Sequence, residues 1–267
     1  MSKIKVMTFN LRVEAPVHDG INNLPNRKGR ILDTIQVEAP DLIGFQEASD
    51  ATRAWLREAL TDYVFVGCGR YKDYRGEGAP LAFRKDRFEM VSMDSFWLSS
   101  TPKIPESRYD GSDQSGCPRI ATAVILKPID GDDLLLFINT HTDHQGSISR
   151  VLASAQLLEY ASQKNLNTVI TGDFNAQPDS TEIKMMTSSK AFPLIDCTAN
   201  ITSTFHAFGK LKSEKYTDSI ADRAVKIDYV FTNMPTDIGE SYAVEDVPVD
   251  GIYISDHQPV VAYIDIK

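Results

Sequence analysis

No stretch of the chain approaches the ~20 consecutive apolar residues that a membrane span requires. The first residues, Met1-Ser2-Lys3-Ile4-Lys5-Val6, run straight into a strand-like segment, with neither an apolar leader nor a small-residue cleavage site. Cysteine is scarce. Cys68, Cys117 and Cys197 are odd in number and far apart, so neither a disulfide framework nor a zinc knuckle is indicated. A reducing compartment is therefore expected, and a cytoplasmic location with it. Several catalytic signatures are also missing. There is no Gly-x-Ser-x-Gly elbow, no Walker loop and no His-Glu-x-x-His helix. Internal repeats and low-complexity tracts are absent too.

Cations are outnumbered. Lys and Arg total 28 against 37 Asp and Glu, for a net charge of -9. A protein that grips duplex nucleic acid through its overall field is normally basic, so this chain is no general polyanion binder. A phosphate ester remains an acceptable substrate, because a bound cation inverts the local charge logic. What is present is ordinary for a globular protein: 267 residues, 42% hydrophobic and 24% charged. One domain over 1–267 is expected.

Strand-like and helix-like segments alternate along the whole length. Lys5 to Phe9, Asp41 to Phe45, Tyr63 to Val66, Ala79 to Phe83, Phe88 to Phe96, Ile120 to Leu126 and Leu134 to Asn139 read as strands. Further strands are expected at Asn167 to Thr171, Lys226 to Phe231 and Pro259 to Ile264. Asp130-Gly131-Asp132-Asp133 signals a hairpin. Helices are expected from Arg27 to Val37, after Ser49 or Asp50, from Ser147, and around Thr181 to Met186. Crossovers mixed with hairpins predict mixed sheets covered by helices, an α/β (α+β) arrangement.

The polar residues at the strand ends carry the chemistry. Asn10 closes the first strand and Glu47 the second. A hard cation such as Mg²⁺ takes oxygen ligands and keeps several waters, so one or two carboxylates suffice. Glu47 is the leading ligand, with Asn10 in support. Asp173 and Asn175, two apart in Gly172-Asp173-Phe174-Asn175, share one side of an extended chain. They are suited to orienting a water and contacting a phosphate. An EF-hand is excluded there, because Pro178 stands where that loop needs glycine and Lys184 where it needs glutamate. Asp228 lies in the apolar run Lys226 to Phe231 and needs a partner. His257, in Ser255-Asp256-His257, needs an acceptor to fix its tautomer. Pairing the two makes His257 a general base, with Asp256 beside it. His141 ends another strand and is suited to proton donation. Zinc at His141, Asp143 and His144 is the weaker reading, and His144 reads as an exposed turn residue. Arg70, in a locally basic and aromatic loop, and Arg119 are candidate phosphate contacts.

Taken in order, Thr8-Phe9-Asn10, Gly44-Phe45-Gln46-Glu47, Asn139-Thr140-His141, Gly172-Asp173-Phe174-Asn175, Ile227-Asp228-Tyr229 and Ser255-Asp256-His257 resemble the endonuclease/exonuclease/phosphatase superfamily, the DNase I-like proteins. The resemblance spans nearly the whole chain. It implies a four-layer sandwich of two face-to-face mixed sheets with helices outside. It also implies a metal-dependent hydrolase of phosphodiesters or phosphomonoesters. Carried over by position, Glu47, Asn10 and Asp256 hold Mg²⁺, with Mn²⁺ as a substitute. His257 with Asp228 is the base, Asp173 orients water and Asn175 contacts phosphate. His141 is the second histidine, Glu77 its carboxylate partner and Arg119 a phosphate-binding arginine. The stretch from Asn139 to His144 and the Arg70 loop look like the bacterial, deadenylase-like branch. A phosphodiesterase or nuclease acting on RNA, DNA or small nucleotides is the first expectation. A phosphomonoesterase or a lipid or inositol-phosphate hydrolase is the alternative, and a non-catalytic binding module is a lower one. No protein partner is evident.

Overall fold

The computed structural model describes residues 2–212 and 219–266. Among the described residues, twelve strands form two six-stranded mixed sheets. In the first, β1 (Ser2–Asn10) and β2 (Leu42–Gln46) run parallel at the centre. Around them lie β3 (Tyr63–Val66), β4 (Leu81–Arg84), β11 (Tyr242–Ala243) and β12 (Val260–Ile266), in the order β11-β12-β1-β2-β4-β3. The second sheet has parallel β7 (Leu135–His141) and β8 (Asn167–Asp173) at its centre. With β5 (Phe88–Trp97), β6 (Ile120–Pro128), β9 (Ile195–Asp196) and β10 (Asp228–Thr232), its order is β5-β6-β7-β8-β10-β9.

Each parallel pair is joined by a long helix, as a parallel connection requires. α2 (Leu24–Glu38) links β1 to β2, and α4 (Ser147–Lys164) links β7 to β8. The remaining helices are α1 (Pro16–Asp19), α3 (Asp50–Ala59) and α5 (Thr181–Ser188). Ser49 caps α3 by accepting the Thr52 amide, the role its position in the sequence suggests. Ile31, Ile35 and Leu56 bury one outer sheet face under α2 and α3. Ala153, Leu157, Ile183 and Met186 bury the other under α4 and α5. Between the sheets lies a third core, which includes Ile4, Val6, Leu42, Phe83, Leu135, Phe137, Val169, Val230 and Ile264. The result is the helix–sheet–sheet–helix sandwich expected from the sequence.

The expected strands and helices form, with ends that shift by a few residues. α1, β9 and β11 are additional. They are two to four residues long and too short to show a periodicity.

Candidate active site

Side chains alternate across a strand, so residues two apart share a face. On the face between the sheets, β1 reads Ile4, Val6, Thr8, Asn10. β7 reads Leu135, Phe137, Asn139, His141, and β8 reads Val169, Thr171, Asp173. Each series turns from apolar to polar toward the same end of the sandwich. β10 runs antiparallel to β8, which sets Asp228 opposite Asp173. The candidate site is thus the polar end of the inter-sheet core.

A layer of buried amides supports it. Asn139 donates to the Phe45 carbonyl at 2.7 Å and to the Pro80 carbonyl at 2.9 Å. Its oxygen accepts from Gln46 at 2.7 Å and from Thr171 at 3.0 Å. The layer joins the two sheets, and only glycine fits at position 44, where a Cβ would strike Thr171 and Asn139.

Above this layer, the Asn10 amide nitrogen donates to Glu47 Oε1 at 3.1 Å and to Asp173 Oδ2 at 2.9 Å. The Asn10 oxygen accepts the Arg12 amide, while Glu47 Oε2 accepts the Val13 amide at 2.7 Å. Arg12, Glu47 and Asn175 adopt positive φ where the chain turns at the strand ends. Asn10 therefore ties two carboxylates together through its amide nitrogen. Asp256 follows Ser255, whose hydroxyl donates to the Asn10 carbonyl. Burial, with Glu47 adding to it, pushes the Asp256 carboxyl up, and Arg12 Nε stands 3.8 Å away. Two carboxylates, with oxygen donors only, are a donor set suited to a hard divalent cation.

His257 is buried, and its Nδ1 donates to Asp228 Oδ2 at 2.8 Å. Thr204 donates to the same oxygen at 2.6 Å. Burial opposes a charge on His257, yet Asp228, helped by Asp173 and Asp256, lifts it to about 10. Its Nε2 lies 3.8 Å from Asp173 Oδ2. Burial, together with Asp228, raises Asp173 to about 7. Among the described residues, Asp173, Asp228 and His257 form a buried group able to gather round a metal ion.

His141 faces Asp173 Oδ2 at 3.5 Å. Burial, reinforced by Arg119 and Arg70, holds it well below the ordinary histidine range, so the ring is neutral at pH 7. Asn175 donates to its Nε2 at 2.9 Å, which leaves the ring proton on Nδ1. Glu77 reaches the same cavity but does not pair with His141 as the resemblance suggested. It accepts from Arg70 at 2.8 Å, because the 67–80 loop folds back on itself with the Arg70 amide donating to the Glu77 carbonyl. Arg70 and Arg119 are both about 5% exposed, at 6% and 4%. With Glu47 and His141 they line one small cavity. The Nε of each has no hydrogen-bond partner.

The zinc constellation does not form. Asp143 accepts the Ser115 hydroxyl and the amides of Ser115, Gln145 and Gly146. His144 is exposed, as expected, but its Nδ1 lies 2.9 Å from Arg119 Nη2, a contact with no sequence signature. Thr204 and Arg12 were also missing from the sequence candidates. Arg12 left one signal, a charge placed directly after the Asn10 turn.

Facing mixed sheets that end in paired carboxylates, a carboxylate-bound histidine and two buried arginines define a phosphoric ester hydrolase of the DNase I-like class. Residues 7–257 match the Endonuclease/Exonuclease/phosphatase family, and the chain belongs to it. An endonuclease/exonuclease/phosphatase from Bacteroides vulgatus is 28% identical, covers all of both chains and superposes with a TM-score of 0.85. A mannosyl-6-phosphatase from Bacteroides thetaiotaomicron is 25% identical over 97% of this chain and 98% of its own, with a TM-score of 0.80. An uncharacterized protein of Acanthamoeba polyphaga mimivirus is 23% identical over 95% of this chain and 97% of its own length.

Proposed function

We propose that the chain hydrolyses a phosphate ester by in-line attack of water at phosphorus, with Mg²⁺ held by Glu47 and Asp256 and with Asn10 tying Glu47 to Asp173. The observation that carries this reading is the shared gap between His257 Nε2 and Asp173 Oδ2, beside the Glu47 carboxylate. When bound, Mg²⁺ would neutralise the phosphoryl charge and favour the neutral form of His257. Asp173 then orients the water, and His257 Nε2 takes its proton as the new P–O bond forms. Asp228 holds the imidazolium that results, fixed by Nδ1–H to Oδ2. The departing alkoxide leaves with the electrons of the broken P–O bond, and His141 Nδ1–H is the nearby neutral donor. Arg119, Arg70 and Asn175 face the non-bridging oxygens, and Glu77 keeps Arg70 in place.

The sequence places phosphodiesters first, including RNA, DNA and small nucleotides. One observation favours a phosphomonoester. Arg70 and Arg119 line one small cavity and each keeps an Nε without a hydrogen-bond partner, donors suited to the oxygens of a terminal phosphate, and the B. thetaiotaomicron relative is a mannosyl-6-phosphatase. No helix among the described residues is long and apolar enough to cross a membrane. The three cysteines are free, which supports the cytoplasmic expectation. The test of the metal assignment is a Mg²⁺ titration of activity in Glu47→Ala. The half-saturating concentration rises in this variant, and an unchanged titration removes Glu47 as a ligand.

A further inference from the structure

Arg27 lies in the first turns of α2 and is completely buried. Its guanidinium is not paired with a carboxylate. Nε donates to the Asn22 carbonyl at 2.5 Å. Nη1 donates to Leu11 O at 2.7 Å and to Ile254 O at 2.9 Å, and Nη2 donates to Arg12 O at 3.0 Å. A buried charge normally has a partner of opposite sign. Burial draws Arg27 down to about 10, which leaves it cationic at neutral pH. Arg30, one turn further along the same helix, pairs with Asp246 at 3.3 Å in the usual way.

Three of the four carbonyls belong to the segments that build the candidate cation site, while Asn22 lies in the turn before α2. Leu11 and Arg12 form the turn directly after Asn10. That turn sends the Arg12 amide to Asn10 and the Val13 amide to Glu47. Arg12 holds φ +56, a left-handed backbone that is costly for a non-glycine residue and persists only where its surroundings fix it. Ile254 directly precedes Ser255, Asp256 and His257. A single planar fork thus crosslinks the turn that carries Asn10 and grips Glu47 to the segment that carries Asp256.

We propose that Arg27 is the positioning residue of the cation site: its fork fixes the spacing between the Asn10–Glu47 pair and Asp256, and so sets the affinity for the divalent cation. Arg27 touches neither cation nor substrate. The proposal rests on the metal reading above. Lysine keeps the charge, but a single ammonium cannot span carbonyls from three segments, so Arg27→Lys isolates the geometry from the charge.

Calorimetric titration of Mg²⁺ into wild type, Arg27→Lys and Arg27→Met tests it, alongside the melting temperature with and without Mg²⁺. Outer-shell supports are worth about 10- to 100-fold in metal affinity. We expect Arg27→Lys to bind Mg²⁺ about 10-fold or more weakly, and Arg27→Met at least as weakly, with a smaller Mg²⁺-induced rise in melting temperature. At saturating Mg²⁺, KM for the ester stays at the wild-type value while the Mg²⁺ half-saturation rises. General loosening of the fold would move both. A folded Arg27→Lys protein with wild-type Mg²⁺ affinity overturns the proposal. So does failure of both variants to fold, since Arg27 is then a general core element. A wild-type protein that binds no Mg²⁺ removes the metal reading itself, which is a separate result.

Discussion

Replacing Asp228 with Asn isolates the charge that faces His257. The carboxylate oxygen that accepts from His257 and Thr204 is Oδ2, while Oδ1 is buried with no partner. An Asn oxygen placed at Oδ2 keeps both hydrogen bonds, so ring orientation and tautomer survive while the charge goes. An ordinary histidine titrates near 6.5 and this one near 10, a preference for the imidazolium of about 5 kcal/mol. Asp228 is its largest favourable source, and burial opposes it. In metal-free Asp228→Asn, His257 is therefore expected to titrate at or below 6.5, read from its ring resonances by NMR. A raised histidine stabilises the fold fully below about 6.5, and that stability is lost as pH rises toward about 10. Wild type should lose melting temperature across this window, and the variant should show a flatter profile. With the imidazolium unsupported, kcat should fall ~10²- to 10⁴-fold. A His257 midpoint still near 10, or kcat within about threefold of wild type, would refute the pairing as the source of basicity.

Three further outcomes are expected. Asn139→Ala removes the side-chain bonds to the Phe45 and Pro80 carbonyls, Gln46 and Thr171, while Pro80 O keeps the Phe45 amide and Gln46 keeps Thr8 and Gly44, so at ~1 kcal/mol per hydrogen bond lost it should lower urea stability by about 2–4 kcal/mol. Gly44→Ala drives a methyl into Thr171 and Asn139, and chemical denaturation should show a loss of ~1–3 kcal/mol; an unchanged midpoint contradicts the close packing. Burial holds His206 down to about 4, with His257 adding to the effect, so the folded protein resists a proton that the unfolded chain accepts near 6.5. Stability should fall from pH 6.5 to 4 by up to about 3 kcal/mol, and His206→Asn should remove that slope.

The site was legible wherever it continues the period-2 pattern of the core. Asn10, His141 and Asp173 stand two residues beyond Thr8, Asn139 and Thr171, so the strands that reveal the sandwich also aim these side chains. Glu77 pairs with Arg70 rather than His141 because it lies in a loop with no period, where backbone pairing between Arg70 and Glu77 decides the outcome. Arg27 read only as part of a helix. Its partners are four carbonyls from Leu11, Arg12, Asn22 and Ile254, and backbone acceptors leave no trace in side-chain identity. Arg119 with His144 is similar, a contact between two loops brought together by the second sheet.

Metal-dependent phosphate-ester hydrolysis is proposed at the gap between Asp173 and His257. The most direct test measures hydrolysis of a generic phosphomonoester and a generic phosphodiester, each with Mg²⁺, with Mn²⁺ and with EDTA, in wild type and Asp173→Ala. Turnover should need the metal, vanish in EDTA and fall ~10²-fold or more in the variant. Turnover that persists in EDTA, or an Asp173→Ala enzyme as fast as wild type, would contradict the proposal.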